Sequence, residues 1–184
     1  EGIGLAQGRL ARMGAGGTLP LPELERLALP GAFNRENAAA ALLAAEALGV
    51  PAETALPAIA AFPGLPHRLE RVAEVSGVLC VNDSYATRPE ATLGAIAAFG
   101  AAPLALILGG SEKHADFGPL AEALCRHPAL ARVLLIGATA ERLAQALAAA
   151  ARRLGTAPPP LSRCAGLEAA FARGRGALAS AGTG

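Results

Sequence analysis

Apolar and polar positions along this chain change rhythm several times, and those changes divide it. A helical pattern runs from Asn34 to Leu48, with Asn34 as its N-cap and Gly49 as its C-cap, and a second short helix covers residues 52–62. After that the chain alternates. Apolar runs at 77–81, 104–108 and 133–136 read as strands, and helical stretches follow Pro89, at 119–124 and at 140–154. The triple proline in 156–163 reads as a loop, 167–179 as a last helix, and a further strand is expected beyond Gly184. Strands alternating with helices predict a mostly parallel sheet with helical crossovers, an α/β domain of Rossmann type.

Residues 1–30 do not join this pattern. They are rich in Gly and Pro, and only Leu19–Leu21 and Leu27–Leu29 suggest short edge strands, so the segment looks like the tail of something larger. Pro63-Gly64-Leu65-Pro66 breaks the chain, which places a first piece at 1–63, a linker at 64–69 and the α/β domain at 70–184. Gly2-x-Gly4-x-x-x-Gly8 resembles a dinucleotide fingerprint by count, but no strand precedes it and no long helix follows.

Composition narrows the class. Net charge is +1 and the arginines are scattered, which removes the footprint of a nucleic-acid binder. No apolar stretch reaches the roughly 18 residues a membrane helix needs, so no membrane insertion is expected. Cys80, Cys125 and Cys164 are an odd number with no CxxC spacing, which fits a reducing cytoplasm better than a disulfide framework or a zinc site. His67, His114 and His127 are scattered, and neither a Ser–His–Asp arrangement nor a GxxxxGK[ST] phosphate loop is present. No metal ligand is therefore assigned to this chain.

The scarce polar residues carry more information than the abundant ones. Lysine occurs once, at Lys113, against fifteen arginines; asparagine occurs at Asn34, Asn37 and Asn82, aspartate at Asp83 and Asp116, and tyrosine at Tyr85. Coding bias accounts for the scarcity but not for the gathering of these residues into three short windows. Two windows, 82–87 and 109–113, follow expected strands, where open α/β sheets collect ligands, so the strand ends are expected to bring Asp83, Asn82 and Lys113 toward one crevice. Each residue also has a plainer reading. Thr87-x-x-Glu90 has the form of a capping box, Asn34 that of a cap, and Asp83 could stabilise its own turn. Asn37 has no capping need, and an ammonium at Lys113 offers a compact charge for a carboxylate or phosphate where the chain otherwise uses arginine.

Four motifs are specific when taken in order: residues 29–37 (Leu-Pro-Gly-Ala-Phe-Asn-Arg-Glu-Asn), 64–70 (Gly-Leu-Pro-His-Arg-Leu-Glu), 82–87 (Asn-Asp-Ser-Tyr-Ala-Thr) and 108–117 (Leu-Gly-Gly-Ser-Glu-Lys-His-Ala-Asp-Phe). Together they resemble successive signatures of the Mur ligase family, in its glutamate-adding, MurD-like branch. The resemblance implies an ATP-dependent, ADP-forming amide ligase of peptidoglycan synthesis, cytoplasmic and monomeric. Such an enzyme phosphorylates the carboxylate of UDP-N-acetylmuramoyl-L-alanine to an acyl phosphate, which the amine of glutamate attacks. It further implies that 1–63 is the end of a central P-loop ATPase domain, that the phosphate loop and the Mg2+ ligands lie upstream, and that this chain alone is inactive. By position, Asn37 and Asn34 would contact adenine, Arg68 the phosphates and Asp83 the ribose hydroxyls. Lys113, the candidate catalytic residue, would bind a carboxylate of the incoming glutamate, with Thr87 and Tyr85 beside it.

Tyr85 departs from the family pattern, which commonly places a lysine there. A neutral phenol lacks the charge that would pair with the second carboxylate, so addition of L-glutamate, with inversion left to an epimerase, stands beside the family's usual D-glutamate. A folylpolyglutamate-synthase-like ligase and a non-catalytic Rossmann-type nucleotide- or sugar-binding module are the other readings the residues leave open.

Overall fold

The N-terminal segment forms a three-stranded meander in place of isolated edge strands, with Ala15 and Gly16 turning its second strand into its third. In the computed structural model, which describes residues 2–6 and 9–181, β1 (Gly2–Ala6), β2 (Arg9–Gly14) and β3 (Gly17–Pro20) pair antiparallel in that order. Gly2 and Gly4 are thus strand residues, while Gly8 lies outside the described residues. Leu27–Leu29, expected as an edge strand, is not one; a 3-10 helix at Pro22–Arg26 precedes it and buries Leu24 completely.

The first helix, α1 (Ala32–Ala47), is followed by α2 (Ala52–Ala60). Small and branched residues at helical spacing, Ala38, Ala39 and Leu42 on α1 and Ala55 and Leu56 on α2, pack with Leu10, Leu21 and Leu24 into one core. Fully burying a leucine such as Leu42 contributes about 1.5–3 kcal/mol. Gly49, with φ 81°, follows the last helical turn where a left-handed residue lets the chain leave the helix. Asn34 is not the N-cap. Gly31 occupies that position, and Asn34 lies inside the first turn, its Nδ2 donating back to the Pro30 carbonyl at 2.7 Å.

Next come β4 (Glu70–Val75) and β5 (Val78–Asn82), a two-stranded sheet turned by Ser76 and Gly77. Both turn residues have positive φ, 54° and 77°, as the twist of a tight hairpin demands. The strand expected at 77–81 is present, but its partner is β4, so β5 is not part of the parallel sheet.

The remaining elements alternate as the pattern predicts: α3 (Pro89–Phe99), β6 (Leu104–Gly110), α4 (Gly118–Arg126), β7 (Leu130–Gly137), α5 (Ala140–Leu154), β8 (Leu161–Arg163) and α6 (Leu167–Ala181). The sheet order is β6-β7-β8, all parallel, which bears out the α/β reading. Central β7 is buried on both faces, as parallel strands are. Val133 and Leu135 join Leu120, Leu124, Leu143 and Leu147 in one core, while Leu134 lies on the other side against Gly174 of α6. Strand β8 corrects the loop expected at 156–163. Three residues suffice because β7 supplies the hydrogen-bonding edge, with Val133 N–H donating to Pro160 and Cys164 N–H to Leu135. The strand expected beyond Gly184 lies outside the described residues.

By internal contacts the chain divides into two units, Glu1–Glu70 with Asn82–Tyr85, and Arg71–Val81 with Ala86–Gly184.

Candidate functional site

In the first unit, Arg68 stands between two residues with left-handed backbone, His67 (φ 64°) and Leu69 (φ 46°). Such conformations cost on the order of 1–3 kcal/mol each and persist only when neighbours enforce them. Here the enforcement is visible. Leu69 N–H donates to Asp83 Oδ1 at 3.0 Å, His67 N–H to Glu70 Oε2 at 2.8 Å, and Tyr85 N–H to the His67 carbonyl at 3.0 Å. Asn82 adds its amide to His67 Nδ1 at 2.8 Å and to Glu70 Oε2 at 3.4 Å.

The 64–70 and 82–87 motifs are therefore stitched together, with Arg68 displayed at the seam. Its side chain is exposed and makes no hydrogen bond or ion pair among the described residues. Asp83 does not hold its own turn. That plainer role falls to Asn82, whose Oδ1 accepts from Ser84 N–H at 3.1 Å, and Asp83 keeps a second oxygen uncommitted among the described residues. Tyr85 is 66% exposed, its ring tilted 49° against His67 at 6.1 Å.

On α1 the two asparagines differ. Asn34 is buried, and its donor and acceptor serve Pro30 and Asn37. Asn37 is exposed, and its one side-chain hydrogen bond among the described residues is a long 3.4 Å donation to Asn34 Oδ1, which leaves its own carbonyl oxygen available to a ligand.

In the second unit the site grows from a glycine crossing. Gly109 (φ 141°), the second-last residue of β6, lies so close to β7 that a Cβ there would collide with the Ile136 carbonyl. Gly137, at the matching end of β7, would place a Cβ 3.1 Å from Gly110 N. Only glycines allow the two strand ends to meet and the chain to turn outward into 111–117.

Within that loop Glu112 accepts from His114 N–H and from Arg142 Nη1, each at 2.5 Å, and His114 takes a left-handed φ of 53°. Arg142 Nη2 donates to the Ala115 carbonyl at 2.8 Å, and its guanidinium lies 5.0 Å from the centre of the Phe117 ring. The Arg142 hydrogen bond, and then that of His114 N–H, holds the Glu112 carboxyl below its ordinary range. Asp116 accepts from Gly118 N–H at 2.8 Å as α4 begins. Lys113 is exposed, and its ammonium has no partner among the described residues. A shallow concavity lined by Asp116, Phe117, Gly118, Arg142 and Gln145 lies alongside.

Thr87 does not form the capping box. Arg88 is the N-cap of α3, which puts Thr87 one residue too early to cap it, and arginine offers no acceptor, so no side chain caps the helix among the described residues. Thr87 is exposed in the second unit. Arg142, Glu112, Glu70 and His67 were not among the expected site residues. Arg142 lies 30 positions from Glu112 with no shared local pattern, so no sequence signal marked it.

Among the described residues no helix is long and apolar enough to cross a membrane.

Residues 67–183 match the family described as Mur ligase, glutamate ligase domain. The UDP-N-acetylmuramoylalanine--D-glutamate ligase of Chromohalobacter salexigens is 43% identical over 174 residues, covering 93% of this chain and 34% of that protein. The protein of the same name from Anaeromyxobacter dehalogenans is 51% identical over 100 residues, 53% of this chain and 22% of its own length. A UDP-N-acetylmuramoyl-L-alanine--L-glutamate ligase of Xanthomonas euvesicatoria pv. vesicatoria is 40% identical over 120 residues, 65% of this chain and 25% of that one. The chain spans about a third or less of the length of these curated relatives. With well over half of its residues inside the family match, this chain belongs to the Mur ligases and carries their glutamate ligase domain.

Proposed function

We propose that this chain forms the glutamate-accepting part of a cytoplasmic, ADP-forming amide ligase that joins glutamate to UDP-N-acetylmuramoyl-L-alanine in peptidoglycan synthesis. The observation that carries the reading is Lys113: the chain's only lysine, exposed and without a partner among the described residues, on a buttressed loop at the end of a parallel strand in a glutamate ligase domain. A charge-assisted hydrogen bond from such a group to a carboxylate contributes about 1.5–3 kcal/mol. Orienting glutamate by its carboxylate leaves the amine free to attack.

ATP, when bound, supplies the phosphoryl group that activates the acceptor carboxylate. The residues of the first unit fit it in part. Among the described residues Arg68 offers an unpaired guanidinium for phosphate oxygens, Asp83 an uncommitted oxygen for ribose hydroxyls, and Asn37 an available carbonyl oxygen for the base. Asn34 fits poorly, because its amide is already spent on Pro30 and Asn37. No group of three or more His, Cys, Asp or Glu residues placed to hold a metal occurs among the described residues. By the family resemblance, the Mg2+ ligands and the phosphate loop would lie in the larger part of the relatives' length that the chain does not span.

The isomer of glutamate has two readings. The relatives named for D-glutamate favour that isomer. Tyr85, exposed and uncharged where the family commonly has lysine, favours L-glutamate, the isomer named for the Xanthomonas relative. The test is ADP release by the full-length protein with UDP-N-acetylmuramoyl-L-alanine and each isomer in turn. Release that depends on one of them supports the reading, and release indifferent to both removes it.

A further inference from the structure

The loop that presents Lys113 has few internal means of holding its shape. Gly109, Gly110 and His114 all have positive φ, and residues 111–116 contain neither helix nor strand. Lys113 itself makes no hydrogen bond or ion pair among the described residues that would fix its direction. Three separate contacts from one side chain outside the loop compensate. Arg142 of α5 pairs with Glu112 on one side of Lys113 at 2.5 Å, donates to Ala115 on the other at 2.8 Å, and lies over Phe117 at 5.0 Å. The two hydrogen bonds leave from different guanidinium nitrogens, so the planar fork spans the residues flanking Lys113 and sets the distance between them. Glu112 also accepts from His114 N–H, which couples the clamp to the left-handed residue just after the lysine. The base of Arg142 is firm, since α5 is anchored through Leu143 and Leu147, both almost fully buried.

We infer that Arg142 is a positioning residue for Lys113: by clamping Glu112 and Ala115 it holds the loop in the arrangement that aims the ammonium at the glutamate carboxylate. This rests on the proposed role of Lys113 in binding glutamate. The contacts that Arg142 makes among the described residues go to Glu112, Ala115 and Phe117, around Lys113, so its effect is expected on glutamate.

The experiment is a double-mutant cycle in the full-length enzyme, with Arg142→Ala, Lys113→Ala and both together, read as KM for glutamate and KM for ATP. Arg142→Ala is expected to raise the glutamate KM roughly tenfold and to leave the ATP KM within about twofold, as misplacing one binding group does. In the Lys113→Ala background the same change is expected to add less than about twofold, because the two residues act as one unit. Arg142→Lys keeps the charge but cannot bridge both partners, and an intermediate rise of roughly threefold is expected. That variant serves as the test if Arg142→Ala does not fold. A glutamate KM raised by Lys113→Ala but unmoved by either Arg142 variant overturns the inference and leaves the reading of Lys113 standing, as do fully additive effects. If Lys113→Ala itself leaves the glutamate KM unchanged, the reading of Lys113 fails and the inference falls with it.

Discussion

Gly109 and Gly110 make a matched pair for testing whether the site is built on a close approach of two strand ends. Their φ angles are almost equal, 141° and 140°, so an alanine at either meets the same backbone penalty, on the order of 1–3 kcal/mol. Their surroundings differ. A Cβ at Gly109 collides with the Ile136 carbonyl, whereas one at Gly110 meets nothing within 4 Å. Backbone cannot swing aside as a long side chain can, so relieving the collision requires β6 and β7 to separate, a strain of about 1–3 kcal/mol beyond the φ penalty. Urea unfolding of the two variants, followed by circular dichroism, is expected to show Gly110→Ala destabilised by about 1–3 kcal/mol and Gly109→Ala by at least about 1 kcal/mol more. Equal losses would show that the strand ends do not approach as described, and the derivation of the Lys113 loop from the glycine crossing would fail with them.

Other parts of the molecule make equally definite statements. Leu147→Ala removes a fully buried side chain from the core under the parallel sheet and is expected to cost about 2–5 kcal/mol in the same unfolding assay; a loss below about 1 kcal/mol contradicts the assigned packing. The Leu10 N–H, aided by Arg35, holds the Glu25 carboxyl below its ordinary value of 4.5. A depressed folded pKa stabilises above the unfolded value, and that stabilisation is lost as pH falls through the folded one, so Glu25→Gln should flatten the acid limb of a stability profile below about pH 4.5; an unchanged limb counts against the contact. Burial raises the Cys125 thiol above its ordinary value, so iodoacetamide at pH 8 should modify it more slowly than a cysteine in an unstructured peptide, and an equal rate would deny that environment.

How much of this was legible in the residues depended on whether the cause was local. The helices α1 and α5 carry their apolar spacing and their terminal glycines, Gly49 and Gly155, in their own sequences. Strand β6 is a continuous apolar run, and β7 is one from Val133 on, as strands buried in a parallel sheet tend to be. Strand β8 is three residues after a triple proline, and its pairing exists only because β7 offers an edge. Strand β4, with Glu70, Arg71 and Glu74 among its six residues, reads as surface loop until its hairpin partner is known.

The candidate residues follow the same division. Lys113 and Asp83 stood out through their rarity and their place in motifs, but what each is attached to did not. Asp83 answers Leu69 fourteen positions away, and the Lys113 loop answers Arg142 on a later helix. The caps failed at Asn34 and Thr87 because each helix begins at a different residue from the one expected: the N-cap is Gly31 in one case and Arg88 in the other.

The proposal concentrates on one ammonium, and the steady-state glutamate KM of the full-length enzyme interrogates it directly. With UDP-N-acetylmuramoyl-L-alanine and the preferred glutamate isomer as substrates, Lys113→Ala should raise that KM roughly 10–150-fold, the equivalent of losing one charge-assisted hydrogen bond, while the ATP KM stays within about twofold. A glutamate KM unchanged by the substitution, in a protein that still folds and binds ATP, would contradict the assignment of Lys113 and with it the placement of the glutamate site on this loop.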